Sequence, residues 1–490
     1  MVRAAPFLLV PLLVMAASSA WSALQSRGSS PPLVQLAALA EAAVLVDKAA
    51  DLGVHAAPAL DFLGMSMPEL SARQAGVIRG QDGSAALLTV EGLGDAAIPP
   101  HAPLAVLLLD YAPAPVVAVQ GISDEECATL RAAVAGGPTE NDGEWRKAGV
   151  CVTVVGECGR HRCGPVGLPP PGKLGGACRT RLSLLESLPT GALRAVVGGT
   201  RLRRFLPSEA EPYLRTVDAV AMRLDASAPT WKMLTRVALT RADSALDGWQ
   251  PLAGRHAALD PAPVVEVTLA PDAASLKRVL NPREPPHGAA LQSLWGDDLS
   301  AHLVRAGTES LTLAWRGVDS SIPPEGGAAD RLFHFFGGLT AVTSSDAQAR
   351  ALGEEAARRF KSHGFEADGP YWVRGPRLLG LVQKERQVAV MTGPFAQQPF
   401  QGATSPVQPP SSASGAVLRV RGNGRRLRGV MESVPTLHGA SRRDLRGVLA
   451  VRELFSPSLT RLGELTAWLV PEQRGARWSL HVEANVGPPR

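Results

Sequence analysis

Four segments of this 490-residue chain recur in the same order at nearly constant spacing, and that repetition restricts the fold more than any single motif. Gly92–Pro100 (GLGDAAIPP) matches Arg316–Pro324 (RGVDSSIPP), placing Asp95, Ile98, Pro99 and Pro100 on Asp319, Ile322, Pro323 and Pro324 at one offset, 322 − 98 = 224. Val116–Glu126 (VVAVQGISDEE) parallels Leu339–Gln348 (LTAVTSSDAQ) at 345 − 123 = 222. In both, an apolar run enters a Ser-x-x-Glu/Gln pattern, Ser123 with Glu126 and Ser345 with Gln348, the capping box that satisfies orphan amides at a helix start. DGEW at Asp142 stands beside DGPYW at Asp368. GALRAVVGGTRLRRFL from Gly191 stands beside GAVLRVRGNGRRLRGVM from Gly415, and 415 − 191 is again 224.

The chain therefore reads as two diverged tandem copies of one domain, residues 24–250 and 262–490, with a hinge at Asp260–Ala262. Each copy shows the same order of elements. A helical stretch at Leu33–Leu52 opens copy 1. Apolar strands follow at Ala85–Val90, Leu104–Leu109 and Val116–Val119, then a capped helix (Asp124–Ala135 in copy 1, Asp346–Ser362 in copy 2) and a further strand (Val150–Val155, Leu378–Val382). Period-two alternation at Trp478–Ala484 marks a late strand. Strands interrupted irregularly by helices predict an α+β fold with mixed or antiparallel sheets. Residues 397–414, rich in Pro, Ser and Gln, read as a disordered loop of copy 2. The glycines of GGTR (Gly198–Arg201) and GNGR (Gly422–Arg425) read as hairpin turns.

Residues 1–22 have the form of a signal peptide: Arg3 as a positive n-region, Phe7–Ala17 as an apolar core, then the small residues Ser18, Ser19, Ala20, Ser22 and Ala23. The expectation is export to the periplasm or beyond, with an uncleaved N-terminal membrane anchor as the alternative. The chain as a whole is 45% hydrophobic and 19% charged, enough apolar material for ordinary cores. Its net charge of +5 is too slight for a nucleic-acid partner.

The five cysteines all lie in copy 1, four of them in or beside the loop at 156–180. In an oxidising compartment Cys151, Cys158, Cys163 and Cys178 are disulfide candidates: Cys158 with Cys163 closes a small ring and Cys151 reaches Cys178, leaving Cys127 unpaired. A zinc site from Cys158, His161, Cys163 and Cys178 is the alternative, although Cys-x2-His-x-Cys is not a standard zinc spacing. Gly167–Lys173 (GLPPPGK) matches the outline of a phosphate loop, but its three prolines lack the amide hydrogens such a loop presents. Arginines concentrate near the C-terminus. Alternation in Arg419-Val-Arg421 puts two guanidinium groups on one strand face, and with Arg425 and Arg426 they form an anion-binding candidate for an envelope surface.

The order of segments, with the Ile-Pro-Pro and capped-helix blocks, resembles exported, internally duplicated bacterial proteins of unknown function; the resemblance implies no activity and transfers no site residues. No catalytic motif and no cofactor are expected. The reading is an envelope protein that binds or scaffolds a partner, an envelope protein or an anionic envelope surface, without catalysis. Two alternatives stand beside it: an enzyme with a cleft between the copies, or a metal- or redox-responsive protein using the Cys151–Cys178 loop.

Overall fold

The computed structural model describes residues 31–51, 55, 98–109, 116–133, 138–154, 168–172, 176–205, 215–226, 229–240, 249–258, 263–270, 272, 274, 299–318, 335–369, 371–393, 404–433, 459–472 and 476–487. They divide into two compact units, one holding most of residues 1–214 and the other most of 215–490. The signal segment, the strand expected at Ala85–Val90, the Arg316–Pro324 repeat beyond Val318 and the Asp260–Ala262 hinge lie outside the described residues.

Unit 1 is an α+β layer built on five antiparallel strands: β1 (Ala42–Val46), β2 (Leu104–Leu108), β3 (Val116–Gln120), β4 (Val150–Val154) and β5 (Leu193–Gly198), in the spatial order β4-β3-β2-β1-β5. These are short runs of Val, Ala and Leu, buried on both faces, hence apolar without alternation. Helix α1 (Pro32–Leu39) starts on a proline at its first turn, where the missing N–H costs nothing, and ends before β1. The long helix expected over 33–52 is thus a helix followed by a strand: Ala42, Val44 and Val46 carry β-branched and small residues that pair with β2 and β5. Helix α2 (Asp124–Ala133) begins with the reciprocal capping box, the Ser123 amide donating to Glu126 Oε2 at 2.7 Å and the Glu126 amide to Ser123 Oγ at 3.2 Å. Hydrogen bonding from the Ser123 amide first, and then from its hydroxyl, holds the Glu126 carboxyl below its ordinary pKa. Helix α3 (Asp142–Lys147) buries Trp145 completely, and α4 (Gly176–Ser187) packs on α1. Arg181 of α4 donates to the carbonyl of Ala38 at 2.8 Å, placing a cation on the C-terminal end of α1. Helix α5 (Gly199–Phe205) follows β5 directly, and β6 (Val217–Asp225) comes next, with Ala219–Ala221 in unit 1 and its other residues in unit 2 and with a regular buried-and-intermediate alternation over its first half.

Unit 2 carries the remaining strands: β7 (Thr230–Leu239), β8 (His256–Ala258), β9 (Val265–Leu269), β10 (Ser310–Val318), β11 (Phe335–Val342), β12 (Glu366–Asp368), β13 (Tyr371–Arg374), β14 (Arg377–Lys384), β15 (Gln387–Thr392), β16 (Thr404–Pro406), β17 (Leu418–Asn423), β18 (Leu462–Glu472) and β19 (Arg477–Val486). Eleven of them form one antiparallel run, β12-β13-β14-β15-β11-β10-β9-β17-β18-β19-β7. Helices α6 (Leu299–Arg305) and α7 (Asp346–Ser362) cover one face, where Leu269, Leu311, Ala341, Leu352, Ala356 and Phe360 form a core. The Gln348 amide donates to Ser345 Oγ at 3.3 Å, so α7 has the forward half of the capping box. Helix α8 (Gly424–Ser433) follows β17 without a loop.

Three expectations are corrected. GGTR and GNGR are strand-to-helix junctions instead of hairpin turns, and their glycines serve close packing: a Cβ on Gly424 would lie 2.4 Å from Leu462 Cβ, one on Gly198 2.8 Å from Glu41 Oε2. Within 397–414, residues 404–414 are ordered. β16 pairs with β8, a 3-10 turn spans Ser411–Ala413, and Val407 and Ala413 are buried with Trp468. Backbone hydrogen bonds hold it: the Val407 amide donates to the Arg255 carbonyl at 2.8 Å and the Val407 carbonyl accepts from the Gly254 amide at 3.0 Å. Finally, DGEW folds as α3 whereas DGPYW spans the tight hairpin from β12 into β13, so that pair of segments is not structurally equivalent.

Candidate functional site

Side chains alternate across a strand, so the ladder register sorts unit 2 into two faces. Leu269 and Val267 point to the α6/α7 core. Thr268 and Glu266 therefore point the other way. One row runs directly across that second face: Ala389, Thr340, Thr312, Thr268, Arg419, Trp468, His481 and Leu234. The neighbouring row runs Glu266, Arg421, Thr466, Glu483 and Lys232, alternating in charge.

Around β9 and β17 this polar face is shut away from solvent, while Glu483 and Lys232 at its far end are exposed. Glu266 and Thr268 are each 0% exposed and Arg419 is 6% exposed. A buried carboxylate must be paired, and Glu266 is: Arg419 Nη2 donates to its Oε1 at 3.0 Å and Arg421 Nη1 lies 3.4 Å from the same atom. Arg419 also donates to Thr268 Oγ1 at 2.9 Å, Thr268 shares a hydrogen bond with Thr312, and the guanidinium lies 5.8 Å from the Trp468 ring centroid. Burial pulls the Arg419 pKa below its ordinary value, with Glu266 acting in the opposite direction. Further along, Ser479 Oγ donates to Glu472 Oε1 at 2.8 Å and Arg236 reaches Glu472 at 3.5 Å. Burial and then Arg236 hold His481 below its usual pKa. Strand β8 lies on β10 and β11, and the His256 carbonyl accepts from Ser310 Oγ at 2.6 Å.

The anion-binding candidate is therefore divided. Arg419 and Arg421 do share a strand face, but Glu266 occupies them. Arg425 and Arg426 lie on the first turn of α8 and are exposed; Arg425 Nε donates to the Thr460 carbonyl at 3.3 Å, and the Arg426 amide to Asn423 Oδ1 at 3.2 Å.

The cysteine pairing is corrected as well. Cys151 bonds Cys127, not Cys178, with the two Cα atoms 5.7 Å apart, and Cys178 is free. Cys127 lies on the inner face of α2 and Cys151 on β4 beneath it, an approach that the hairpin-and-helix packing sets before any loop is placed. Cys158, His161 and Cys163 lie outside the described residues; of the zinc set only Cys178 is described, with Arg181 Nη2 3.5 Å from its sulfur. Among the described residues no three His, Cys, Asp or Glu side chains gather as a metal would need.

Sequence reasoning missed Glu266, Thr268 and Thr312. The signal existed: VEVTL at 265–269 and SLTLA at 310–314 alternate polar with apolar, as a strand with one polar face does. It also missed Arg194 of β5, 7% exposed, whose Nη2 lies 2.5 Å from Asp47 Oδ1. Comparison with family models, curated proteins and solved structures finds no match to the chain.

Proposed function

We propose that the chain is an exported, non-catalytic binding or scaffolding protein made of two diverged copies of one α+β domain. The observation that carries this reading is a shared frame with exchanged surfaces. The order β4-β3-β2-β1-β5 and the order β15-β11-β10-β9-β17 are the same antiparallel arrangement, each with a capped helix after its third strand in the chain (β3, β11) and a glycine-started basic helix after its last (β5, β17). Across positions made equivalent by ladder register and helix start (Gly199 on Gly424, 424 − 199 = 225, one residue from the Gly191–Gly415 match), the row Val152, Ala118, Ala105, Leu45, Arg194 becomes Ala389, Thr340, Thr312, Thr268, Arg419. The arginine stays and its neighbours turn polar. Its carboxylate comes from two residues along the strand in either direction, Asp47 in one case and Glu266 in the other. A catalytic constellation would fix both partners; a scaffold needs only that the buried cation be paired.

Export is supported by the signal-like segment 1–22 and by the Cys127–Cys151 disulfide, which needs an oxidising compartment. No helix among the described residues is long and apolar enough to cross a membrane. The surface offered to an anionic envelope partner is the exposed first turn of α8, Arg425 and Arg426. Intact mass of protein recovered from the envelope fraction tests export: an N-terminus near residue 21 or 23, with at least one disulfide, is expected. Arg425→Ser/Arg426→Ser tests the surface. Partition onto anionic vesicles should weaken and lose salt dependence, and unchanged partition sinks that assignment.

A further inference from the structure

Strand β7 falls within copy 1 by sequence, yet it belongs to unit 2, where it pairs with β19 from Thr230↔Asn485 to Ala238↔Arg477. On the duplication reading, on which this inference rests, the two strands are equivalent. Each is the second strand after the basic helix, and each follows its predecessor across four residues, 226–229 and 473–476. Aligned at 477 − 230 = 247, TWKMLTRVAL and RWSLHVEANV superpose Trp231 on Trp478, Met233 on Leu480, Val237 on Ala484 and Leu239 on Val486.

The ladder then acquires an internal symmetry. Trp231 stands opposite Ala484, the counterpart of Val237, and Trp478 stands opposite Val237 itself. Met233 faces Val482, the counterpart of Thr235, while Thr235 faces Leu480, the counterpart of Met233. Leu234 faces its own counterpart, His481, at the fifth residue of each strand. Residue against counterpart about a central axis is the geometry of an isologous contact, in which one surface meets a second copy of itself. It also closes two strand edges that would otherwise be open to other chains.

We propose that the β7–β19 ladder is a self-complementary docking surface whose partner is a second copy of the same domain, supplied in this protein by the chain's own other copy. The test uses the full chain with a specific protease site inserted at 241–248, so that β8, which pairs with β16, stays with the C-terminal piece, and a tag at one end. After cleavage under native conditions the untagged piece should remain on the tag resin. Leu480→Pro or Thr235→Pro, each removing an amide that bonds across the β7–β19 ladder beside its centre, should release it while circular dichroism before cleavage stays native. A third variant replaces residues 477–486 by TWKMLTRVAL and should retain the piece; a scrambled decamer of that composition should not. Release from the wild type, or retention by both proline variants, overturns the docking surface and leaves the duplication standing if the strand exchange is tolerated. Retention by the wild type with release by the exchanged strand overturns self-complementarity, and the equivalence of the two strands with it.

Discussion

Removing the Glu266 carboxylate should be the most damaging single change on the polar face of unit 2. Glu266 is 0% exposed and is the only carboxylate bonded to Arg419 among the described residues. Glu266→Ala leaves that guanidinium, 6% exposed, with Thr268 as its remaining hydrogen-bond partner. Deleting one member of a buried pair costs about 3–5 kcal/mol, because the surviving charge stays desolvated. In a unit of this size about 4 kcal/mol lowers Tm by roughly 8–16 °C. The double variant Glu266→Ala/Arg419→Met has no stranded charge at that position, and Arg421, whose side chain is 29% exposed, can turn to water. It should recover most of the loss, a coupling of about 2–3 kcal/mol in a double-mutant cycle. Asp47→Ala in unit 1 should cost less, about 1–2 kcal/mol, since the Asp47 side chain is 31% exposed and water can replace it on Arg194. Calorimetric melts of the wild type, Glu266→Ala, Arg419→Met, their double variant and Asp47→Ala read all of this. Additive single variants, or a Glu266→Ala chain within about 0.5 kcal/mol of wild type, would refute the claim that the buried charge depends on its partner.

Two glycines of α8 should respond oppositely to alanine. Gly424→Ala drives a methyl to 2.4 Å from Leu462 Cβ and should cost about 1–3 kcal/mol, whereas Gly429, with nothing within 4 Å of an added Cβ, should gain about 0.5–1 kcal/mol. Equal urea midpoints would contradict the packing. Cys127→Ser opens a loop of sequence separation 24 and should cost about 3 kcal/mol, while Cys178→Ser should change little. Peptide mapping that finds Cys151 joined to Cys178 would reverse that order. His481 is held neutral by burial and Arg236, so the unfolded chain takes up a proton that the folded one resists. Stability from this group is complete above about pH 6.5 and falls with acidification below it. His481→Leu should flatten that part of the stability profile, and an unchanged slope in urea titrations would remove His481 as its source.

Much of the frame was legible because it rests on local signals. The capping boxes gave the starts of α2 and α7, apolar runs gave β2, β3 and β4, and period-two alternation gave β19, each to within a residue or two. The errors came where tertiary context decides. Ala42–Val46 carries the same apolar content a buried helix would, and only pairing with β2 and β5 makes it a strand. GGTR and GNGR call for glycine because Glu41 and Leu462 pack against them, a demand that looks identical to a turn's in sequence. Spacing along the chain leaves Cys127 unpaired, yet a small buried position on a helix over a strand is where a second cysteine can be reached.

On the proposed duplication, that position accounts for a difference in cysteine without a difference in fold. Cys127 is then the counterpart of Ala349, and the strand registers place Cys151 opposite Val119 as Val388 lies opposite Ala341. Ala349 and Val388 belong to one apolar core in unit 2. The helix-to-strand contact is made by a covalent bond in unit 1 and by methyl packing in unit 2. The second face obeys the same logic with the chemistry inverted. In unit 1 a Cβ on Gly198 would lie 3.2 Å from Arg181 Nη1, so α4 lies over the side of Leu45 and Arg194, and an apolar row suits a helical cover. In unit 2 the cover over Ser310 is the β8–β16 pair, whose backbone carbonyls seek donors, and the strands beneath present Ser310, Thr312 and Thr268. Each face takes its polarity from the element that covers it, while the strand order, fixed by the ladder, carries both.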